Sequence, residues 1–241
     1  MPTFCYNKNM KSEDIVRDLN KLKNKEKAKT SSGFFKTKKG QYGYGDKFLG
    51  ITVPEQRKIA KKYKELKLSE IQELLKSPIH ENRFTALEIL VMKYENSQNK
   101  EKEKIAKFYL KNTKNINNWD LVDASASYIL GDFLYKKDRG VLYKLVKSEN
   151  LWERRIAVVS TYYFIKRGDF KDIIKLSEIL LKDKHDLIQK AVGWMLREAG
   201  KRDQKVLLSF LDKNHKEMPR TMLRYSLEKL STKQKNFYMK K

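Results

Sequence analysis

Cysteine is almost absent from this chain of 241 residues, where Cys5 stands alone. An intramolecular disulfide is therefore impossible, and a zinc site built from several cysteines is excluded. Histidine is scarce as well. His80, His185 and His215 show no metal-ligand spacing among themselves, so polar contacts at helix starts are their expected role, and neither a metal nor another cofactor is expected. Four prolines and ten glycines are few for this length and predict long helices with short connections. Few segments show strand-like alternation of β-branched residues, which leaves an all-α reading. No apolar stretch reaches the length of a signal peptide or a membrane span, so the chain is expected in the cytosol. Glycine-rich phosphate loops, a helical His-Glu-x-x-His pair and a Gly-x-Ser-x-Gly elbow are also lacking.

What the chain has in excess is positive charge. Lys and Arg number 54 against 30 Asp and Glu, a formal net charge of +24. The expected large partner is a polyanion. A membrane-binding chain would concentrate its cations on one amphipathic helix, whereas here they run from end to end. Nucleic acid is the better fit, and DNA would place the protein on the nucleoid. Hydrophobic content of 40% still allows a core, as one domain over residues 1–241.

Helix-sized runs begin at 11–27, followed by a basic aromatic stretch from Lys29 to Gly45 that reads as a solvated loop or as a flexible arm. Pro54 opens the next run, with Thr52 or Val53 near the cap. From there the runs come in pairs: 55–76 with 80–95, 100–111 with 117–136, and 140–147 with 151–166. Two more pairs follow, 170–182 with 186–199 and 203–212 with 217–230. Arg83, Arg155, Lys190 and Arg220 recur near the start of the second run of a pair, at spacings that fit helical-hairpin repeats. Stacked hairpins put their second helices on one face, so these cations predict a positive stripe along a concave groove.

Trp119 and Asp123 lie four apart, hence on one helix face, in the position between Arg83 and Arg155 where the period calls for a cation. A carboxylate facing a polyanion costs binding energy, which points to a chemical task for Asp123. Taken alone, it reads as an ordinary salt-bridged surface residue. Asp120, rotated about 100° from Trp119, reads as structural or capping. Trp152, at the start of its run, reads as core. Trp194 shares a face with Lys190 and Arg197 and is a candidate aromatic surface.

Four blocks together carry a resemblance: Phe48-Leu49-Gly50-Ile51-Thr52-Val53-Pro54-Glu55-Gln56-Arg57, Asn118-Trp119-Asp120-Leu121-Val122-Asp123, Trp152-Glu153-Arg154-Arg155 and Gly193-Trp194-Met195-Leu196-Arg197-Glu198. In that order they resemble the bacterial DNA alkylation repair glycosylases of the AlkD type, which are built from HEAT-like repeats. The resemblance implies a helical-repeat solenoid with a basic concave groove, acting as a monomer on duplex DNA that carries alkylated bases. It implies catalytic roles for Asp123, Trp119 and Trp194. It implies DNA contacts by Arg155 and Arg197, beside the sequence candidates Arg154, Arg83 and Lys190, and by an N-terminal aromatic that is either Tyr42 or Tyr44. The activity implied is monofunctional excision of N3- and N7-alkylated purines, since no lysine is singled out as a lyase amine. The alternative is a non-enzymatic helical-repeat protein that binds structured DNA or RNA.

Overall fold

The computed structural model describes residues 10–240, and Cys5 lies outside them. The described residues are all-helical, with one isolated bridge between Lys47 and Ile79 and no strands. They divide into two compact units, one ending at Leu121 and the other starting at Val122.

The first unit contains α1 (Ser12–Lys21), α2 (Lys25–Phe34), α3 (Val53–Lys62), α4 (Leu68–Leu75), α5 (His80–Glu95) and α6 (Asn99–Lys111). Helix α5 is its centre, packed by α1, α3, α4 and α6. Leu87, Ile89 and Leu90 of α5 are fully buried, as are Ile15 and Leu19 of α1 and Ile71 of α4. The start of α3 follows the sequence closely. Thr52 is the N-cap, Pro54 sits in the first turn, and the Glu55 carboxylate accepts from the Thr52 amide at 2.9 Å, a capping box.

The run expected over 11–27 is two helices, and α2 claims the first part of the stretch read as a loop. Asn24 makes the break, because its Oδ1 accepts from Lys27 N at 3.0 Å and caps α2. The block from Phe48 to Pro54 then returns against α2. Gly50 has φ +80, and a Cβ there would lie 2.2 Å from Asn24 O and 2.4 Å from Ala28 N, so only glycine fits. The buried Glu81 carboxylate of α5 accepts from Leu49 N at 2.9 Å and Gly50 N at 2.8 Å. That sequence block is thus a structural clasp.

Helix α7 (Trp119–Asp123) spans the boundary between the units. The second unit continues with a π-helical turn (Ser127–Gly131), α8 (Asp132–Leu134), α9 (Gly140–Leu145), α10 (Leu151–Ser160) and α11 (Tyr162–Ile165). It ends with α12 (Lys171–Ile179), α13 (Asp186–Arg202), α14 (Gln204–Asn214), α15 (Arg220–Leu227) and α16 (Thr232–Met239). Helix α16 lies beyond the last run the periodicity shows, and the expected run over 117–136 is broken by one turn at 124–125, after which a π-helical turn passes directly into α8. Helix α13 is the hub of this unit, packed by α10, α14 and α15, with Ala191, Val192 and Met195 fully buried.

Close approach between α13 and α15 explains Gly193. A Cβ there would sit 2.5 Å from Met222 O and 2.5 Å from Tyr225 Cβ. Gly193→Ala is therefore expected to destabilise the chain by about 1–3 kcal/mol through forced separation of the helices. A urea-unfolding midpoint equal to that of the native chain would show that the crossing can open freely.

One motif repeats locally and corrects the sequence register. Ser77 Oγ accepts from Ile79 N while Arg83 donates to Ser77 O at 2.8 Å. In the second unit, Ser148 Oγ accepts from Asn150 N and Arg154 donates to Ser148 O at 2.9 Å. Asp183 accepts from His185 N, and Gln189 donates to Asp183 O at 3.0 Å. The equivalent residues are therefore Arg83, Arg154 and Gln189. The alignment on Arg155 and Lys190 is one residue out, because a doubled Arg154-Arg155 offered two cations for one slot. The side-chain donor at this slot, a guanidinium twice and an amide once, closes the loop that leads into the helix.

Candidate functional site

In the first unit, Trp119 is half-buried and surrounded by rings. Phe35 stacks on it at 5.3 Å between centroids, and Phe34 meets it edge-on at 5.8 Å. The indole Nε1 donates to Tyr42 Oη at 3.2 Å. Of the two candidate tyrosines, Tyr42 is the one beside Trp119, and Tyr44 is 65% exposed. Phe34 is also 64% exposed. The Lys29–Gly45 stretch is accordingly no free arm. It is the end of α2 followed by turns, with the Phe35 ring laid on the indole and the Tyr42 hydroxyl at its N–H.

Beneath the rings lies a charged cluster that sequence reasoning missed. The His80 imidazole bridges two carboxylates, with Nδ1 3.2 Å from Asp46 and Nε2 2.7 Å from Asp120. Arg83 donates to the other oxygen of Asp46 at 2.7 Å, and Asn118 donates to Asp46 at 3.1 Å. Asn118 also accepts from the Trp119 amide at 2.8 Å. Phe48 stacks on the imidazole at 4.7 Å, and Phe35 meets it tilted at 4.9 Å. Burial alone pushes His80 down, but the Asp120 charge and the hydrogen bonds to Asp120 and Asp46 raise it to about 9. Burial likewise opposes ionisation of Asp46. The His80 hydrogen bond and the Arg83 charge outweigh it and hold that carboxyl below its ordinary value.

The flanking residues of Trp119 are thus both tied down, Asn118 through Asp46 and Asp120 through His80. Asp120 also accepts from the Leu121 amide at 2.9 Å, in keeping with the structural and capping role expected of it. Arg83 was expected in a groove. It is 3% exposed and its guanidinium is taken by Asp46 and Ser77 O, so its place is inside the fold. His80 carries no metal-ligand signature in sequence. The informative signal was the pair of polar residues on either side of Trp119.

The second unit holds Asp123 and Trp194. Arg155 donates to both oxygens of Asp123, Nε at 2.9 Å and Nη2 at 2.8 Å, a bidentate pair. Its remaining Nη1 donates to Leu187 O at 2.6 Å. The Arg155 side chain is 6% exposed against 21% for Asp123. Each Arg155 nitrogen thus already donates to an internal acceptor, and the two N–H groups that remain sit on a side chain that is nearly buried, unlike the open groove cation expected. The bidentate pair fixes the orientation of the Asp123 carboxylate.

The other expected DNA contacts also carry internal partners. Arg154 binds Asp183 at 2.8 Å and the carbonyls of Ser148 and Glu149, which leaves it a loop-closing role. Arg197 pairs with Glu228 and Lys190 with Asp186. Lys190 and Glu228 are partly exposed, so both pairs can exchange for a phosphate. Trp194 is half-buried, with the Tyr162 ring 6.1 Å away. Trp152 is a core residue at 7% exposure. His185 accepts from Leu187 N at 3.2 Å as the α13 cap. No group of three or more His, Cys, Asp or Glu side chains placed to hold a metal ion occurs among the described residues, and none of the described helices is long and apolar enough to cross a membrane.

Comparison with known proteins gives a family and several similar solved structures. The family model described as DNA alkylation repair enzyme matches residues 15–230. A predicted DNA alkylation repair enzyme from Enterococcus faecalis is 19% identical, with a TM-score of 0.68 over 88% of this chain and 98% of that one. A protein from Streptococcus mutans UA159 is 18% identical, with a TM-score of 0.54 over 91% of this chain and 99% of that one. At these identities the structures speak for the all-helical repeat fold. No curated protein matches the chain.

Proposed function

Because the chain belongs to the family of DNA alkylation repair enzymes, we propose that it is a monofunctional DNA glycosylase for cationic alkylpurines in duplex DNA. The observation that carries this reading is the Asp123 carboxylate, fixed by a bidentate guanidinium yet still partly exposed, in a chain of net charge +24.

Alkylation of a purine at N3 or N7 places a positive charge on the base. When the N-glycosidic bond breaks, its electron pair moves to the base, which leaves neutral and needs no general acid. Positive charge develops on the deoxyribose at C1′ instead. A carboxylate held near C1′ stabilises that charge and orients the incoming water, whose oxygen bonds to C1′ as a proton is lost. One carboxylate is enough. In the second unit the Trp194 indole offers an electron-rich face to the cationic nucleotide, contributing about 0.5–2 kcal/mol, and the Trp119 indole of the first unit has the same chemistry to offer. No cluster suited to reading a base edge accompanies them in the sequence blocks, which favours recognition of the lesion by its charge and lability.

Arg155 acts here as a positioning residue. Arg155→Ala is expected to lower base release at least tenfold, because the carboxylate loses its fixed orientation. The salt dependence of DNA binding should stay close to that of the native chain. A slope reduced by about 0.9, the worth of one phosphate contact, would return Arg155 to the DNA-binding surface.

A second reading has a specific observation behind it. Both oxygens of Asp123 are already engaged by Arg155, which also suits a purely structural salt bridge in a non-enzymatic DNA- or RNA-binding protein. Incubation with methylated duplex DNA separates the two. Release of 7-methylguanine or 3-methyladenine supports the glycosylase, and tight binding without release supports the binding protein.

A further inference from the structure

With the expected stripe of cations spent on internal partners, the second unit presents another basic and aromatic surface. Tyr128 lies in the π-helical turn and is 44% exposed, while Ser127, Ile129, Leu130 and Gly131 of the same turn are buried. Such a turn re-aims side chains and recurs at functional sites. The Lys166 ammonium sits 5.9 Å from the Tyr128 ring centroid and 5.0 Å from that of Tyr162. Tyr162 in turn faces Trp194 at 6.1 Å. Arg202 lies over the same Tyr162 ring at 5.8 Å.

Lys166 is exposed and has no carboxylate partner among the described residues. That sets it apart from Arg154, Arg155, Lys190 and Arg197, all of which have one. Its amine is lowered from the ordinary lysine value by burial of its stem, then by the charges of Arg167 and Arg202. An anion placed there relieves like-charge repulsion and breaks no internal salt bridge.

We propose that Lys166, Tyr128 and Tyr162 form a DNA-strand contact next to Trp194, in which Lys166 takes a backbone phosphate and the exposed Tyr128 ring packs on a nucleotide. The charge favours a polyanion, and the rings give sugars and bases a flat apolar face. The proposal rests on the DNA-binding reading above and adds to it a contact that no sequence block marks. Lys166 lies between the Trp-Glu-Arg-Arg and Gly-Trp-Met-Leu-Arg blocks, in neither.

The test is equilibrium binding of the full chain to an undamaged labelled duplex over a range of salt concentrations. Lys166→Gln is expected to weaken binding several-fold at moderate salt and to lower the slope of log affinity against log salt by about 0.9. Lys166→Arg should restore both. Tyr128→Ala should weaken binding about three- to tenfold, and Tyr128→Phe should retain it, because the ring and not the hydroxyl makes the contact. Lys213→Gln, a change at an exposed lysine of α14 outside this surface, controls for loss of net charge alone. A Lys166→Gln slope equal to that of Lys213→Gln overturns the proposal. So does a Lys166→Gln defect seen only with vesicles containing phosphatidylglycerol and not with DNA. Native chain that binds DNA through Lys166 but releases no base leaves this surface standing and removes the glycosylase. Native chain that releases base while Lys166→Gln binds normally does the reverse.

Discussion

Asp123→Asn is expected to cut single-turnover release of 7-methylguanine from methylated duplex DNA by about a hundredfold or more, since a single charge-stabilising group removed from a preorganised site costs about 10²–10³ in rate. DNA binding should stay equal or become tighter. The substitution removes one negative charge facing the polyanion, and it frees the Arg155 guanidinium from the bidentate pair at 2.9 and 2.8 Å. The isosteric amide keeps one acceptor for Arg155, so the fold should lose only about 1–3 kcal/mol. These two directions, slower chemistry and undiminished binding, are hard to produce by misfolding. Excision at the native rate by a folded variant would falsify the assignment of Asp123. Equal loss of binding and release would instead mean that the pair with Arg155 serves the fold.

The readability of this protein from sequence differed between fold and site for physical reasons. Helix content followed from three- and four-residue periodicity and from few glycines, and the start of α3 at Thr52 or Val53, with Pro54 in its first turn, was legible because capping is local. The break between α1 and α2 was missed because it depends on Asn24, a cap whose side chain looks like any other polar residue of a basic run. The repeat register slipped by one residue at Arg154-Arg155, where only hydrogen bonds distinguish the loop-closing cation from its neighbour. Trp119 and Asp123 stood out through their block and their electrostatic oddity. Their supports did not. Asp46, His80 and Asn118 are far apart in sequence, and nothing in a linear pattern shows that Asp46 accepts from Asn118 across 72 positions. Charge counting failed in a further way. It gives the net excess of cations, but which of them remain without a carboxylate is decided only by folding, as the contrast between Lys166 and Arg83 illustrates.

That buried cluster predicts a second large effect, in stability. His80 titrates near 9 in the folded chain against 6.5 for an unperturbed histidine. A group whose value is raised by folding contributes fully below its unfolded value and loses that contribution as pH climbs through the folded one. Stability is thus expected to be highest at or below about pH 6.5 and to fall by about 3 kcal/mol by pH 9.5, a figure that follows from the size of the shift. Tyr143, Tyr163 and Tyr238, each pushed up to about 12 first by burial and then by a carboxylate neighbour, stay protonated through this window. His80→Gln should cost about 3–5 kcal/mol at neutral pH, because it removes the cation between the buried Asp46 and the partly exposed Asp120. It should also flatten the decline between pH 6.5 and 9.5, and that flattening separates titration of His80 from general alkaline weakening. Urea unfolding of both chains across the window measures each quantity. A native chain equally stable at pH 6.5 and 9.5 would mean that His80 is neutral in the fold. Arg83 would then be the only cation facing Asp46, and the clamp on Asn118 and Asp120 that steadies Trp119 would rest on hydrogen bonding without charge.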